Sequence, residues 1–220
     1  MPAPGIIRIR LFYPWGVVMI LGICCSPREG GNTELLVREV LEGVLEAGMP
    51  AEYFSVAGKS IQPCDGCGTC REKGLCHVQD DMQELYLKME AAQGIVFGTP
   101  IYFHAMTSQA KAIIDRSFAM RYPVIRLSDK VGGAVVVAGM MGAVDALKSL
   151  YFYFAHNHMP AADQVVAHVG EKGGVAASVR TMKSARELGW QMVQLVKQGF
   201  RFPAEYNRGL IPHVVEKYKL

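Results

Sequence analysis

Residues 17–33 read VVMILGICCSPREGGNT. A short apolar run, Val17–Cys24, passes directly into Cys25-Ser26-Pro27-Arg28-Glu29-Gly30-Gly31-Asn32-Thr33. From Thr33 to Ala47 apolar residues return at helical spacing through Leu35, Leu36, Val40, Val44 and Leu45. An apolar strand that breaks on Ser, Gly and Asn and restarts as a helix is the first unit of a parallel sheet. A helix N-terminus presents free N–H groups and the positive end of a dipole, so the turn is a candidate anion cradle. Ser26 and Thr33 add hydroxyls, Asn32 an amide or a helix cap, and Gly30 and Gly31 let the backbone curl close to a phosphate. An ordinary N-cap at Asn32 or Thr33 is the simpler alternative.

The alternation continues along the chain. Strands are expected at Ala51–Val56, Gly94–Thr99, Val131–Ala138 and Ala162–Val169. Helices are expected from Asp80 or Asp81 to Ala92, and over Thr107–Ser117, Ala143–Ala155 and Val179–Gln198. Strands that are apolar throughout are buried on both faces, so helices cover both sides of the sheet. The expected fold is α/β, a doubly wound five-stranded parallel sheet in the flavodoxin-like order 2-1-3-4-5, with a Cys-rich loop after strand 2. Residues 19–199 form the domain, residues 1–18 an N-terminal extension with Met1 or Met19 as the start, and residues 200–220 a tail containing Pro203 and Pro212. In such sheets ligands bind beyond the carboxyl ends of the strands, where the strand order reverses. That rule selects the loops after Cys24, Thr99 and Ala138. The second loop, Pro100-Ile101-Tyr102-Phe103-His104, offers a stiff, apolar and aromatic wall for a flat ring. The third, Gly139-Met140-Met141-Gly142, offers backbone groups to the polar end of such a ring. A core-lining strand end is the alternative for the second loop.

Between Ala57 and Val78 stand Cys64, Cys67, Cys70 and Cys76, spaced C-x2-C-x2-C-x5-C, with Gly66, Gly68 and Gly74 among them. A glycine-rich loop can wind around one point and bring four thiolates there. One [4Fe-4S] cluster with four local ligands is the natural reading. Zinc, a disulfide pair and free redox thiols remain alternatives, although structural zinc usually takes two C-x2-C knuckles across a longer spacer. Cys24 and Cys25 read as buried free thiols.

The 220 residues are half hydrophobic and one fifth charged, with a net charge of +3 and both signs interspersed. No basic footprint for nucleic acid and no polybasic membrane patch is present. No apolar run reaches the roughly 18–20 residues of a membrane-spanning helix, and clustered cysteines suit a reducing, cytoplasmic setting. Gly58-Lys59-Ser60 resembles the end of a phosphate-binding P-loop, but Tyr53 stands where its first Gly is required. His104 reads as a surface histidine, His156 and His158 as loop residues, and Tyr151-Phe152-Tyr153-Phe154 as core or oligomer packing. No acid–base residue is nominated as catalytic.

Together, Gly22-Ile23-x-x-Ser26-Pro27-Arg28-x-x-Gly31-Asn32-Thr33, the cysteine run, Asp80-Asp81-Met82, Thr99-Pro100-Ile101-Tyr102 and Lys111-x-x-Ile114-Asp115-Arg116 resemble the NADPH-dependent FMN reductase superfamily. Within it they look like the iron–sulfur flavoproteins. The resemblance covers residues 19–142 clearly. It implies that Ser26, Arg28, Asn32 and Thr33 hold the FMN phosphate, and that Pro100, Ile101, Tyr102 and Phe103 line the isoalloxazine. It implies that the four loop cysteines ligate a [4Fe-4S] cluster. A homodimer or homotetramer is implied, with the cluster of one subunit near the flavin of another. The implied function is electron transfer between cluster and FMN, with ferredoxin or NAD(P)H as redox partner and a small-molecule acceptor. Two alternatives stand beside it: an NAD(P)H-dependent FMN or quinone reductase with structural cysteines, and a zinc-stabilised module without redox chemistry. Cys25 departs from the family, where Gly is usual, and a larger side chain there threatens to crowd the phosphate turn.

Overall fold

The computed structural model describes residues 19–207, together with a two-residue antiparallel pairing of Phe12–Tyr13 with Gly16–Val17. The rest of the expected extension (1–11, 14–15 and 18) and of the expected tail (208–220) lies outside the described residues. Strand β1 is Ile20–Cys24, β2 Ala51–Ser55, β3 Gly94–Tyr102, β4 Ala105–Met106, β5 Val131–Ala138 and β6 Ala161–His168. The sheet order is β2-β1-β3-β5-β6, parallel throughout, and β4 folds back antiparallel on the end of β3. This is the expected doubly wound sheet with one short strand added. β1 starts at Ile20, not Val17, because both neighbours begin there: Ile20 pairs with Ala51 and with Gly94.

Helices α1 (Asn32–Glu46) and α6 (Val179–Gln198) cover one face of the sheet. Helices α3 (Met82–Ala91), α4 (Ser108–Arg116) and α5 (Ala143–His156) cover the other, and α2 (Thr69–Lys73) lies inside the cysteine loop. All five residues of β1 and all eight of β5 are buried, as central strands between two helical layers require. α1 buries Leu36, Val37, Val40, Leu41 and Val44 against the sheet. It meets α6 through two glycines: a Cβ on Gly43 would lie 2.1 Å from the Arg186 carbonyl oxygen, and one on Gly189 2.1 Å from that of Val40. Only backbone fits at this crossing. Arg186 bridges Glu39 and Glu46 beside it.

β3 extends past the expected Thr99. Thr99 and Pro100 still pair with Val136 and Val137 of β5, and Ile101 and Tyr102 then turn onto β4. Thr107 caps α4 by accepting from Ala110 N–H at 3.1 Å, and its hydroxyl donates to the Cys25 carbonyl at 2.9 Å. The end of β1 and the start of α4 are thereby joined beneath the loops. The described part of the tail is pinned at the opposite end of the sheet, where Phe202 stacks on His158 at 3.7 Å and its N–H donates to Asp129.

Candidate functional site

The loops after β1, β3, β5 and β6 meet at the carboxyl end of the sheet. They enclose a cleft of about 200 Å3 lined by Ser26, Arg28, Asn32, Thr33, Pro100, Ile101 and Gly139, with Gly170 and Lys172 from the last loop. Seven of the ten residues expected at a flavin site converge here. The turn is organised locally: Arg28 N–H donates to Ser26 Oγ at 3.2 Å, and Gly30, at φ +63°, donates its N–H to the Glu34 carboxylate at 2.8 Å. Burial pushes the Glu34 carboxyl up, but Arg38, the Gly30 N–H and Lys172 outweigh it and hold the group below its ordinary value. The helix begins with Gly31 in an extended conformation and no side-chain cap, so neither Asn32 nor Thr33 is the N-cap. A Cβ on Gly31 would sit 3.4 Å from the Arg28 carbonyl oxygen and 3.9 Å from Ser26 Oγ, inside the cradle. The first helical N–H groups have no intrahelical acceptor, as at every helix start. The cradle thus fits a phosphate in its donors, its space and its charge.

Asn32 has a different task from the one its type suggests. Its amide nitrogen donates to the Glu171 carbonyl at 2.7 Å and its oxygen accepts from Val175 N–H at 3.2 Å. This tie draws the loop after β6 over the turn and carries Lys172 with it. Lys172 Nζ lies 3.8 Å from the position of a Cβ on Gly30. Sequence reasoning missed this cation, because the strand-reversal rule directs attention to loops beside β1 and not to the sheet edge. Its one signal is a lysine inside Gly170-Glu171-Lys172-Gly173-Gly174 after a strand. Cys25 does not crowd the turn, since its side chain is buried in the core beneath it. Burial raises the Cys25 thiol well above its ordinary value and raises that of Cys24 too.

Tyr102, Phe103 and Met140 stand outside the cleft. Phe103 is 96 % exposed and Met140 80 %. Phe103 and His104 both take positive φ to make the β3–β4 turn, which carries the Phe103 ring into solvent. Tyr102 stays near the turn, with the Arg28 guanidinium 5.9 Å from its ring centre. A Cβ on Gly142 would lie 2.6 Å from the His104 carbonyl oxygen, so the β5 loop packs on this hairpin and the exposed groups form one rim. His156 closes α5 rather than sitting in a loop, and His158 serves the Phe202 stack.

The cysteine loop forms a second centre. Cys64, Cys67, Cys70 and Cys76 line one small cavity of about 30 Å3, floored by Arg116, Phe118 and Ala119. Gly66, Gly68 and Gly74 all take positive φ, at 74°, 77° and 65°, and α2 carries Cys70, the third cysteine, between Gly68 and Gly74. Cys64 and Cys67 are exposed, and Cys70 and Cys76 half-buried. The neck of the loop is closed by Asp80 and Asp81: Gln62 N–H donates to Asp80 at 2.8 Å and Ser60 N–H to Asp81 at 2.6 Å. Arg126 holds the far side through the Gly74 carbonyl at 2.6 Å. Four thiols around one cavity are a donor set suited to an iron–sulfur cluster. Asp65 and His77 add a carboxylate–imidazole contact of 2.7 Å, and the Cys67 N–H and His77 hold the Asp65 carboxyl at about 2. Asp65, Cys67 and His77 place their ligand atoms within 4.8 Å of one another.

Comparison with known proteins adds to this geometry. Residues 18–174 match the model of the NADPH-dependent FMN reductase family. An iron–sulfur flavoprotein of Methanocaldococcus jannaschii is 37% identical over 188 residues, 81% of this chain and 97% of that one. An iron–sulfur flavoprotein of Methanosarcina thermophila is 39% identical over 120 residues, 54% of this chain and 63% of that one. The crystal structure of RosB superposes with a TM-score of 0.68 at 15% identity, over 93% of this chain and 87% of that one, and supports the fold.

Proposed function

This chain belongs to the NADPH-dependent FMN reductase family, among its iron–sulfur flavoproteins, and from that premise we propose that it moves electrons between a [4Fe-4S] cluster and FMN. Membership makes it a flavin-dependent oxidoreductase. The observation that carries the finer reading is the shared cavity of the four loop cysteines, on the same chain as a phosphate-sized cradle. When bound, FMN supplies one- and two-electron chemistry and the cluster one-electron chemistry. The protein supplies position and charge. Ser26, Thr33 and the first N–H groups of α1 bind the phosphate, with Arg28 and Lys172 balancing its charge and Asn32 holding the Lys172 loop in place. Pro100, Ile101 and Gly139 orient the ring, and Tyr102, Phe103 and Met140 shield it from water. Cys64, Cys67, Cys70 and Cys76 ligate the cluster. Ferredoxin or NAD(P)H is the redox partner, a small molecule the acceptor, and a homodimer or homotetramer the working assembly. Among the described residues no helix is long and apolar enough to cross a membrane.

One observation favours a second reading: Asp65, Cys67 and His77 are a mixed donor set of the kind zinc accepts. Anaerobic purification with iron, sulfide, zinc and flavin assays on the same sample separates the readings. About four irons and one FMN per chain is the expected result. FMN without iron leaves an NAD(P)H-dependent FMN or quinone reductase whose cysteines are structural, and zinc without flavin overturns the redox assignment.

A further inference from the structure

Arg116 ends α4, and its side chain has no exposed surface. A guanidinium is seldom sealed inside a protein unless its charge and its donors are matched. The charge is matched by Asp80, whose Oδ2 lies 2.5 Å from Nη1 and is itself nearly buried. The donors are matched only in part. Nη1 also reaches the Gln62 carbonyl at 3.3 Å and Nη2 the Val78 carbonyl at 3.1 Å, one on each leg of the cysteine loop, while Nε has no partner. A clamp on the loop explains Nη1 and Nη2. It does not explain a buried Nε–H without an acceptor, in a residue that lines the same cavity as the four cysteines.

The Cys76 thiol is the neighbour left to account for it. Cys76 lines the same cavity as Arg116, and its side chain is among the groups that act on the guanidinium. Tyr86 in turn donates to the Arg116 carbonyl at 2.8 Å, which fixes the end of α4 against α3. Arg116 is therefore a buried cation with an unspent N–H, rigidly held in the wall of the cysteine cavity.

Building on the cluster assignment above, we propose that Arg116 sets the reduction potential of the [4Fe-4S] cluster, giving its unspent N–H to the Cys76 sulfur, with Asp80 as an opposing charge. One-electron reduction adds one negative charge to the cluster and no proton is required. A fixed cation and an N–H···S bond stabilise the reduced form more than the oxidised one and raise the potential. The Asp80 carboxylate, a step further from the sulfur, lowers it. The two members of one ion pair thus pull the potential in opposite directions. A clamp with no electrostatic role has no such sign pattern.

The test is a dithionite redox titration of the anaerobically purified holoprotein, followed by absorbance and EPR, with iron and sulfide measured on every sample. Asp80→Asn removes the charge and keeps one of the two oxygens that accept from the Gln62 and Met82 N–H groups, so its midpoint shifts to more positive values. Arg116→Gln shifts it to more negative values, and Arg116→Lys, which keeps the charge but loses Nε, falls between Arg116→Gln and the parent. Should Arg116→Gln lose iron, Asp80→Asn and Arg116→Lys still decide through their opposite signs. A loaded parent protein with both variants unshifted, or shifted the same way, overturns the role of Arg116. A parent protein that holds FMN but no iron overturns the cluster assignment itself.

Discussion

Lys172 is the residue that most changes the character of the cleft proposed to hold the phosphate. Helix dipole, hydroxyls and Arg28 would suffice for an anion, but Glu34 sits beside the turn and its charge opposes a phosphate. A second cation offsets that carboxylate at close range. Lys172→Gln is expected to weaken FMN binding roughly tenfold, about 1.4 kcal/mol, and to leave riboflavin, which lacks the phosphate, unaffected. Fluorescence titration of the two flavins checks this, and equal loss for both would contradict it. That Ser26 and Thr33 line one cleft was legible in the sequence, because a strand, a Ser/Gly turn and a helix start bring these two positions together. Asn32 was legible only as a polar residue in that turn. Its partners, Glu171 and Val175, lie 139 and 143 residues away, and no local pattern encodes such a bond. Arg116 was visible as part of a motif, but its burial and its Asp80 partner are properties of tertiary packing.

At the scale of the element, the crossing of α1 on α6 leaves no room for a side chain at either of its two glycines. A methyl group at Gly189 would overlap the Val40 carbonyl oxygen and crowd Val44 N, at 2.1 and 2.8 Å. These are backbone atoms that cannot rotate away, so the helices must separate. Gly189→Ala is expected to destabilise the protein by roughly 1–3 kcal/mol, although alanine is the better helix former. A lowered thermal midpoint with unchanged helical circular dichroism is the outcome to look for, and a raised midpoint would contradict the contact. The limits of α6 could be read from Ser178, which caps it, and from Gly199, which ends it at positive φ. The two glycines inside helical runs gave no such message. Nor could α2 and β4 be found in advance, since five residues and two residues are too short for any period to register. Both depend on tertiary supports, Arg126 at Gly74 and the Gly142 contact at His104.

For the molecule as a whole, buried lysine and tyrosine side chains contribute to how stability depends on pH. Burial lowers the Lys130 ammonium from 10.5 to about 8, although it donates to the Glu90 and Ala92 carbonyls at 2.8 and 2.6 Å and so closes the end of α3. Between these values the unfolded chain holds a proton that the folded molecule has released, so this lysine makes folding more favourable as pH rises. Tyr53, Tyr86 and Tyr153 act oppositely above about pH 10, because burial raises them and the folded state keeps protons the unfolded chain loses. The contribution of Lys130 is isolated by comparing urea midpoints of the parent and Lys130→Met at about pH 7 and about pH 9.5. The parent is expected to gain on the variant at the higher pH, and a constant gap would contradict the assignment. The sheet order was legible at this scale because strands and helices alternate along the chain and five such strands suit the doubly wound order 2-1-3-4-5. The convergence of four loops was legible for three of them. The last one comes from the sheet edge and is drawn to the cradle by the Asn32 bonds to Glu171 and Val175. That tie has a consequence for synthesis. Residues 171–175 leave the ribosome long after residues 26–33, and until they do Asn32 has neither of the partners that close the loop over the turn. A nascent chain arrested before residue 171 therefore carries the cleft open on one side, and on the proposed assignment flavin binding waits for that loop.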